Sequence, residues 1–138
     1  MRRRDFINLF GGVVAAWSGP AHAQRVSKLP TIGFFGTTSA SSWTLWTAAF
    51  VDRLRELGWV DSRTVTIEYR WADGRTDRFA EIAAEFVRLK VDVIVTSGSA
   101  VLQTEKATST IPIVFALASE PVSTGMVASL ARPGGNAT

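Results

Sequence analysis

Val91–Ala100 reads VDVIVTSGSA, and the fold turns on how that stretch is taken. Its first half is rich in β-branched residues and lacks apolar–polar alternation, which marks a strand buried on both faces. Its second half, Thr96-Ser97-Gly98-Ser99-Ala100, is small throughout and mostly able to hydrogen-bond. A buried strand that stops in small polar residues has the form of a parallel strand whose C-terminal end faces a ligand.

The surrounding sequence supplies the other elements. Pro30-Thr31-Ile32-Gly33-Phe34-Phe35-Gly36 is an apolar run bounded by Pro and Gly, a first buried strand. Trp46, Phe50, Leu54 and Leu57 follow at helical spacing until Gly58 ends the pattern. Val65, Ile67, Tyr69 and Trp71 alternate with Thr66, Glu68 and Arg70, predicting a second strand with one polar face, at a sheet edge. Phe79, Ile82, Ala83, Phe86 and Leu89 predict a second helix, with Thr76 as its N-cap. After the quoted third strand, Ala100 to Thr108 reads as a weaker helix and Ile111 to Leu117 as a fourth apolar strand. The order βαβαβαβ requires a parallel sheet covered on both faces, because each crossover carries a helix and is right-handed. A polar-faced second strand beside buried first and third strands predicts a flavodoxin-like α/β sheet of order 2-1-3-4. Its ligand crevice lies where the first and third strands diverge.

That crevice gives the small residues a reason. Gly98 and Ala100 let a ligand approach the backbone, Ser97 and Ser99 offer hydroxyls, and the first N–H groups of the following helix are unpaired donors at a positive dipole end. A hydrogen bond to a charged acceptor is worth about 1.5–3 kcal/mol, against about 0.3–1 kcal/mol for the dipole, so the donors decide. A carboxylate or phosphate suits such a site; alternatively Ser97 or Ser99 only caps the helix. The loop after the first strand, Gly36-Thr37-Thr38-Ser39-Ala40-Ser41-Ser42, is also small and hydroxyl-rich. It carries neither GxGxxG nor Gly-Lys-Ser/Thr, so no dinucleotide or nucleotide-phosphate fingerprint is present and no cofactor is implied. Trp43 and Trp71 lie near the same rim, either to stack on a flat ligand or to pack on the protein.

The N-terminus, MRRRDFINLFGGVVAAWSGPAHAQ, has positive charges, an apolar run from Leu9 to Trp17 and Ala21-His22-Ala23 as a small-x-small site. That predicts a signal peptide over residues 1–23, cleaved near Ala23, with Arg3-Arg4-Asp5-Phe6-Ile7 resembling a twin-arginine signal. The apolar run is too short to span a bilayer. Removing Arg2, Arg3, Arg4 and Asp5 with the leader takes 15 basic and 12 acidic residues to 12 and 11. The mature chain is close to neutral, which argues against a nucleic-acid partner.

The chain has no cysteine, and its one histidine, His22, lies in the leader. Disulfides, thiolate metal sites and the usual nucleophile–base pairs are therefore excluded from the mature chain. Glu68, Asp73, Asp77 and Glu120 fall on separate elements without metal-ligand spacing, so neither catalysis nor a metal site is expected. Glu120, beside the predicted crevice, either meets a ligand ammonium or sits in a solvated turn before Pro121.

RRRDFINLFGG, IEYRWADGRTDRFAEIAAEFVRLKVDVIV, IPIVFALASEPV and GMVASLARPGGNAT, in this order, resemble the N-terminal part of ABC transporter substrate-binding proteins of the TrpX-like kind, the tryptophan/tyrosine transport type. Arg70-Trp71-Ala72 with Asp77-Arg78, and Arg132-Pro133-Gly134-Gly135-Asn136, carry the resemblance most specifically. It implies the first lobe, residues 24–138, of a type I periplasmic binding protein, with an amino-acid ligand and an ABC permease partner in the periplasm. It also implies ligand contacts in Thr37–Ser42 (Thr37, Thr38, Ser39, Ser42), in Ser97–Ala100 and in Ala118–Glu120, which includes Ser119. The family often has Asp where this chain has Glu120.

Family members continue past the Pro-Gly-Gly-Asn segment into a second lobe, whereas the sequence stops at Thr138, so a truncated first lobe is the expectation. A micromolar site needs about 8 kcal/mol, and one lobe keeping roughly half would bind near millimolar. The alternatives are a self-associating secreted α/β domain, pairing through an open edge of the fourth strand, and a non-functional gene fragment. A secreted flavodoxin-like enzyme would require catalytic residues that the sequence does not contain.

Overall fold

Every residue of β1, Thr31–Gly36, is buried, as a central strand of a parallel sheet must be. The computed structural model describes residues 28–118, 120–129, 131–132 and 134–138; the expected leader, with His22 and Ala23, lies outside them. A 3-10 turn, Ser41–Trp43, leads into α1, Thr44–Glu56, and then come β2, Thr66–Trp71, and a second 3-10 turn, Thr76–Arg78. The chain continues through α2, Phe79–Leu89, β3, Val93–Thr96, α3, Ala100–Ala107, and β4, Ile113–Phe115. The strands are parallel in the order β2-β1-β3-β4, with Ile32 opposite both Ile67 and Val93, and Ile94 opposite Ile113. The predicted order stands. Strands 2, 3 and 4 begin one or two residues later than the apolar runs that announced them, since Val65, Val91 and Ile111 pack against the core from the approaches to their strands.

Alternate residues of β1 serve two half-cores. Phe35 points to the face where Phe79, Ile82 and Phe86 of α2 meet Ile94, Val91 and Ala100. Phe79, Ile82, Ala83 and Phe86 are all buried, the i, i+3, i+4, i+7 stripe of a sheet-packed helix. Close approach of α2 depends on Gly33, where a Cβ would lie 2.9 Å from Cδ1 of Phe86. The stripe ends one turn sooner than predicted, because Lys90 turns left-handed at φ 53° and leaves Leu89 39 % exposed. Thr76 is likewise not the N-cap of α2: it opens the 3-10 turn, and Arg78 stands at the cap without a side-chain bond.

Ile32 and Phe34 face α1, together with Ile67, Tyr69, Trp71, Val93 and Val95. Here the predicted stripe is rotated. Phe50, Val51 and Leu54 pack on the sheet beside Trp43, while Trp46 and Leu57 are 66 % and 58 % exposed. Among the described residues α1 contributes no fully buried side chain, and beyond it Val114 of β4 is 42 % exposed. One helix here spans fewer strands than the α2–α3 pair covers on the opposite face.

The polar side of β2 is not free. Arg70 donates from Nε to Glu85 of α2 at 2.8 Å and from Nη1 to Glu68 at 3.2 Å. Its guanidinium also lies 6.0 Å from the centre of the Phe86 ring, an arrangement that favours a cation over an aromatic face.

The open edge expected on β4 is occupied by the chain itself. Ile113 N–H donates to Asn136 O at 2.7 Å, Thr138 N–H to Ile113 O at 2.8 Å and Phe115 N–H to Thr138 O at 3.0 Å. Ala137 is fully buried there, and the Asn136 amide anchors the segment by donating to Thr108 O and Ile111 O. Self-association through this edge would have to displace those bonds. The outer edge of β2 is blunted too: Ile67 N–H donates to the Asp61 carboxylate, and Arg78 Nη1 donates to Trp71 O.

Candidate functional site

The loop after β1 is held from below and tied within itself. Thr37 O accepts from Gly74 N–H at 3.0 Å and Thr38 O from Asp73 N–H at 3.2 Å, both from the loop after β2. The hydroxyls of Ser41 and Ser42 each lie 2.9 Å from that of Ser39, which also accepts from Ser42 N–H at 3.3 Å. Thr38 Oγ1 accepts from the Trp43 indole Nε1 at 2.9 Å. The hydroxyl-rich loop therefore spends part of its polarity on its own geometry, in the manner of a helix entry.

Trp43 and Trp71 take the packing role of the two left open. Trp43 meets the Phe34 ring edge-on at 5.8 Å and Trp71 at 6.0 Å. Trp71 stacks on Tyr69 with an interplanar angle of 8°. Trp43 nevertheless shows a second surface to the site, as part of the cavity wall.

At the end of β3, Thr96 is buried and donates from Oγ1 to Phe35 O at 3.1 Å, fixing the third strand to the first where they diverge. Gly98 adopts φ +61°, a left-handed conformation that glycine takes without strain, and its N–H bonds to Leu117 O. This closes the turn after β3 onto the loop after β4. Ser99 occupies the N-cap of α3 without a side-chain bond to the helix, so the expectation that it serves only as a cap does not describe it. Ala100 is fully buried, backbone included, and packs in the half-core of Phe35 and Phe86.

A cavity of about 410 Å³ opens beyond the C-terminal ends of β3 and β4, against the first half of α1. Its aromatic wall is Phe34, Trp43, Trp46 and Phe50; Val95, Thr96, Ser97, Ala116 and Leu117 complete it. No lining residue carries a charge. The volume lies within the roughly 300–1,000 Å³ of small-molecule sites, which are likewise mostly apolar with a few placed polar groups. Of the residues expected to contact ligand, Ser97 lines the cavity and Thr38 reaches it through Trp43. Sequence reading assigned Trp46 and Phe50 to the core stripe of α1 and passed over Phe34 and Leu117. The available signal was their position beside segments already singled out: Phe34 just before and Trp46 just after the loop that follows β1, and Leu117 just before Ala118–Glu120.

Glu120 is not part of that wall. It heads the turn after Ala118 at φ +47°, and its carboxylate accepts from Ser123 Oγ at 2.9 Å. Its carbonyl accepts from Thr124 N–H at 3.0 Å and from Thr124 Oγ1 at 2.9 Å. Ser119 lies outside the described residues. The other three acids singled out in the sequence are used in pairs: Glu68 with Arg70, Asp73 with Arg78 at 3.5 Å, and Asp77 with Arg75 at 2.7 Å. The hydrogen bond from Arg75 holds the Asp77 carboxyl below its ordinary range. Among the described residues no group of acids or histidines is placed to hold a metal ion, and no helix is long and apolar enough to cross a membrane.

Comparison with known proteins converges on one family. The family model for ABC transporter substrate binding protein matches residues 36–138. A tyrosine-binding protein of Clostridioides difficile (strain R20291) is 33 % identical over 88 residues, which are 63 % of this chain and 26 % of that protein. A conserved domain protein of Vibrio cholerae superposes with a TM-score of 0.74 at 27 % identity, over 80 % of this chain and 38 % of that one. An ABC domain from Streptococcus pneumonia, solved in complex with L-Trp, superposes with a TM-score of 0.72 at 27 % identity and the same coverage. The chain thus spans about a quarter of the curated relative's length and 38 % of these solved structures.

Proposed function

Because the chain belongs to the ABC transporter substrate-binding protein family, we propose that it provides one ligand-receiving lobe for the import of an amino acid with an apolar, preferably aromatic, side chain. The observation that carries this reading is the uncharged aromatic cavity beside Ser97 and the N-terminus of α3. The ligand carboxylate takes the Ser97 and Ser99 hydroxyls at the positive N-terminal end of α3, with Gly98 leaving room at the backbone. The side chain enters between Trp43, Trp46, Phe50 and Leu117, where burial of apolar area supplies the affinity. Thr37, Thr38, Ser39 and Ser42 form the opposing rim. Glu120 belongs to the outer lip, where its carboxylate is available to the ligand ammonium once it exchanges Ser123 for it, and the neighbouring Ser119 is a further ligand contact in this reading. The relatives' binding of tyrosine and of L-Trp agrees with this class of ligand.

Residues 1–23 in this reading export the chain by the twin-arginine route and are removed near Ala23, so that the lobe works in the periplasm beside an ABC permease. The ligand test is an NMR titration of the ¹⁵N-labelled chain with L-tryptophan, L-isoleucine and L-glutamate. Saturable shifts at Ser97–Ala100 and the Trp43 indole, strongest for L-tryptophan, are expected; a lobe retaining half of a micromolar site saturates near millimolar, about 4 kcal/mol. Equal response to L-glutamate, or none at those residues with any of the three, would overturn the assignment.

A further inference from the structure

The segment Arg70-Trp71-Ala72 through Asp77-Arg78 is the most distinctive in the sequence, yet it contributes no side chain to the aromatic cavity. Its backbone does something else. Past the end of β2, consecutive donors reach the loop after β1: Ala72 N–H to Gly36 O at 2.9 Å, Asp73 N–H to Thr38 O at 3.2 Å and Gly74 N–H to Thr37 O at 3.0 Å. Aiming successive donors at one loop requires an unusual turn, and Asp73 and Gly74 are both left-handed, at φ +53° and +75°. Glycine takes that conformation freely and aspartate tolerates it better than most residues.

Arg78 holds this turn from its far side. Its Nη1 donates to Trp71 O at 3.1 Å and lies 3.5 Å from the Asp73 carboxylate, so one guanidinium ties the residue before the turn to the residue within it. The neighbouring cation, Arg75, is engaged with Asp77 instead. From the turn the contacts run on without a gap: Asp73 N–H to Thr38 O, the Trp43 indole N–H to the Thr38 hydroxyl, and Trp43 to the cavity wall.

We propose that Arg78 is a positioning residue for the binding loop: by fixing the Asp73–Gly74 turn it sets Thr37 and Thr38, and through Thr38 the orientation of Trp43 over the cavity. The inference rests on the reading of that cavity as the ligand site. Both contacts come from one nitrogen, Nη1, whose two N–H donors serve the carbonyl and face the carboxylate, on a guanidinium that stays charged at every pH of interest.

The test uses the full chain and the Trp43 indole N–H resonance, assigned by loss in Trp43→Phe, with L-tryptophan as the ligand probe. In ligand-free Arg78→Gln the indole signal is expected to shift and to exchange faster with solvent, and L-tryptophan affinity to fall about fivefold, the scale of one lost hydrogen bond. Arg78→Lys should recover part of both effects, and Arg53→Gln, which breaks an exposed pair on α1, should change neither. An unmoved indole signal in Arg78→Gln overturns the proposal, and so does lost affinity with the signal unmoved. A wild-type chain that ignores L-tryptophan refutes the ligand reading instead, while the ligand-free indole signal still decides the role of Arg78. Should Arg78→Gln fail to fold, Arg78→Lys carries the same comparison on a smaller scale: a partial indole shift supports the proposal and no shift overturns it.

Discussion

Replacing Gly33 by alanine tests whether contact with α2, rather than backbone freedom, is what requires glycine in the middle of β1. An added Cβ would sit 2.9 Å from Cδ1, 3.0 Å from Cε1 and 3.0 Å from Cγ of Phe86. Carbon atoms normally approach to about 3.5–4.0 Å, so one edge of the ring must retreat by roughly half an ångström or more. Phe86 is fully buried, with Phe35 at a centroid distance of 6.4 Å on one side and the Arg70 guanidinium above, so the retreat moves α2 itself. Overpacking of this kind costs about 1–3 kcal/mol. Loss of glycine's freedom in the unfolded chain offsets about 0.4–1 kcal/mol. A net loss near 1–2 kcal/mol is expected, lowering Tm by roughly 4–8 °C for each kcal/mol in a domain of this size. Urea denaturation followed by far-UV circular dichroism would measure it, with an unchanged slope showing that stability alone has moved. The decisive comparison is a double-mutant cycle with Phe86→Leu, which removes the ring that the new methyl strikes. If Gly33→Ala costs as much in the Phe86→Leu background as in the parent, the contact is not the reason for the glycine and the reasoning is refuted.

Phe86→Ala removes a fully buried ring that packs α2 on the sheet, and should cost about 3–5 kcal/mol by the same denaturation assay. Trp46→Ala should cost less than about 1 kcal/mol of stability, because the side chain is 66 % exposed and surface changes are cheap; its effect should appear in the L-tryptophan titration instead. Asp77 has its folded-state pKa lowered by the bond from Arg75. Its contribution is therefore present above its ordinary pKa and lost as pH falls through the lowered one. Asp77→Asn should accordingly reduce stability at neutral pH, with the difference from the parent vanishing in acid. Glu105 is shifted the other way, upward by burial, so stability is highest below its ordinary pKa and declines as pH rises through the raised one. Glu105→Gln should raise the urea midpoint at pH 7 and leave it unchanged in acid, and a midpoint that falls at pH 7 would contradict that sign.

The order of the elements and the topology of the sheet were legible in the amino-acid pattern alone. VDVIV had no polar face to show to water, the TIEYRW strand did, and a chain alternating strands with helices then has few ways to bury both. That pattern also located the loops after β1 and β3, because small hydroxyl-bearing residues at the ends of buried strands are a local feature that survives folding unchanged. What it left open was every question of which neighbour a side chain meets. Trp46 and Phe50 share helical spacing, but α1 sits on the sheet so that Phe50 packs inward and Trp46 stays at the mouth of a cavity. That rotation is set by β1, β2 and β3 together, not by the periodicity of one helix. Asn136–Thr138 close the edge of β4, a pairing across more than twenty residues that no local pattern announces. Nor could spacing reveal that Asp73 and Gly74 hold Thr37 and Thr38, since a pair of left-handed residues gains its meaning only when another loop stands within hydrogen-bonding reach.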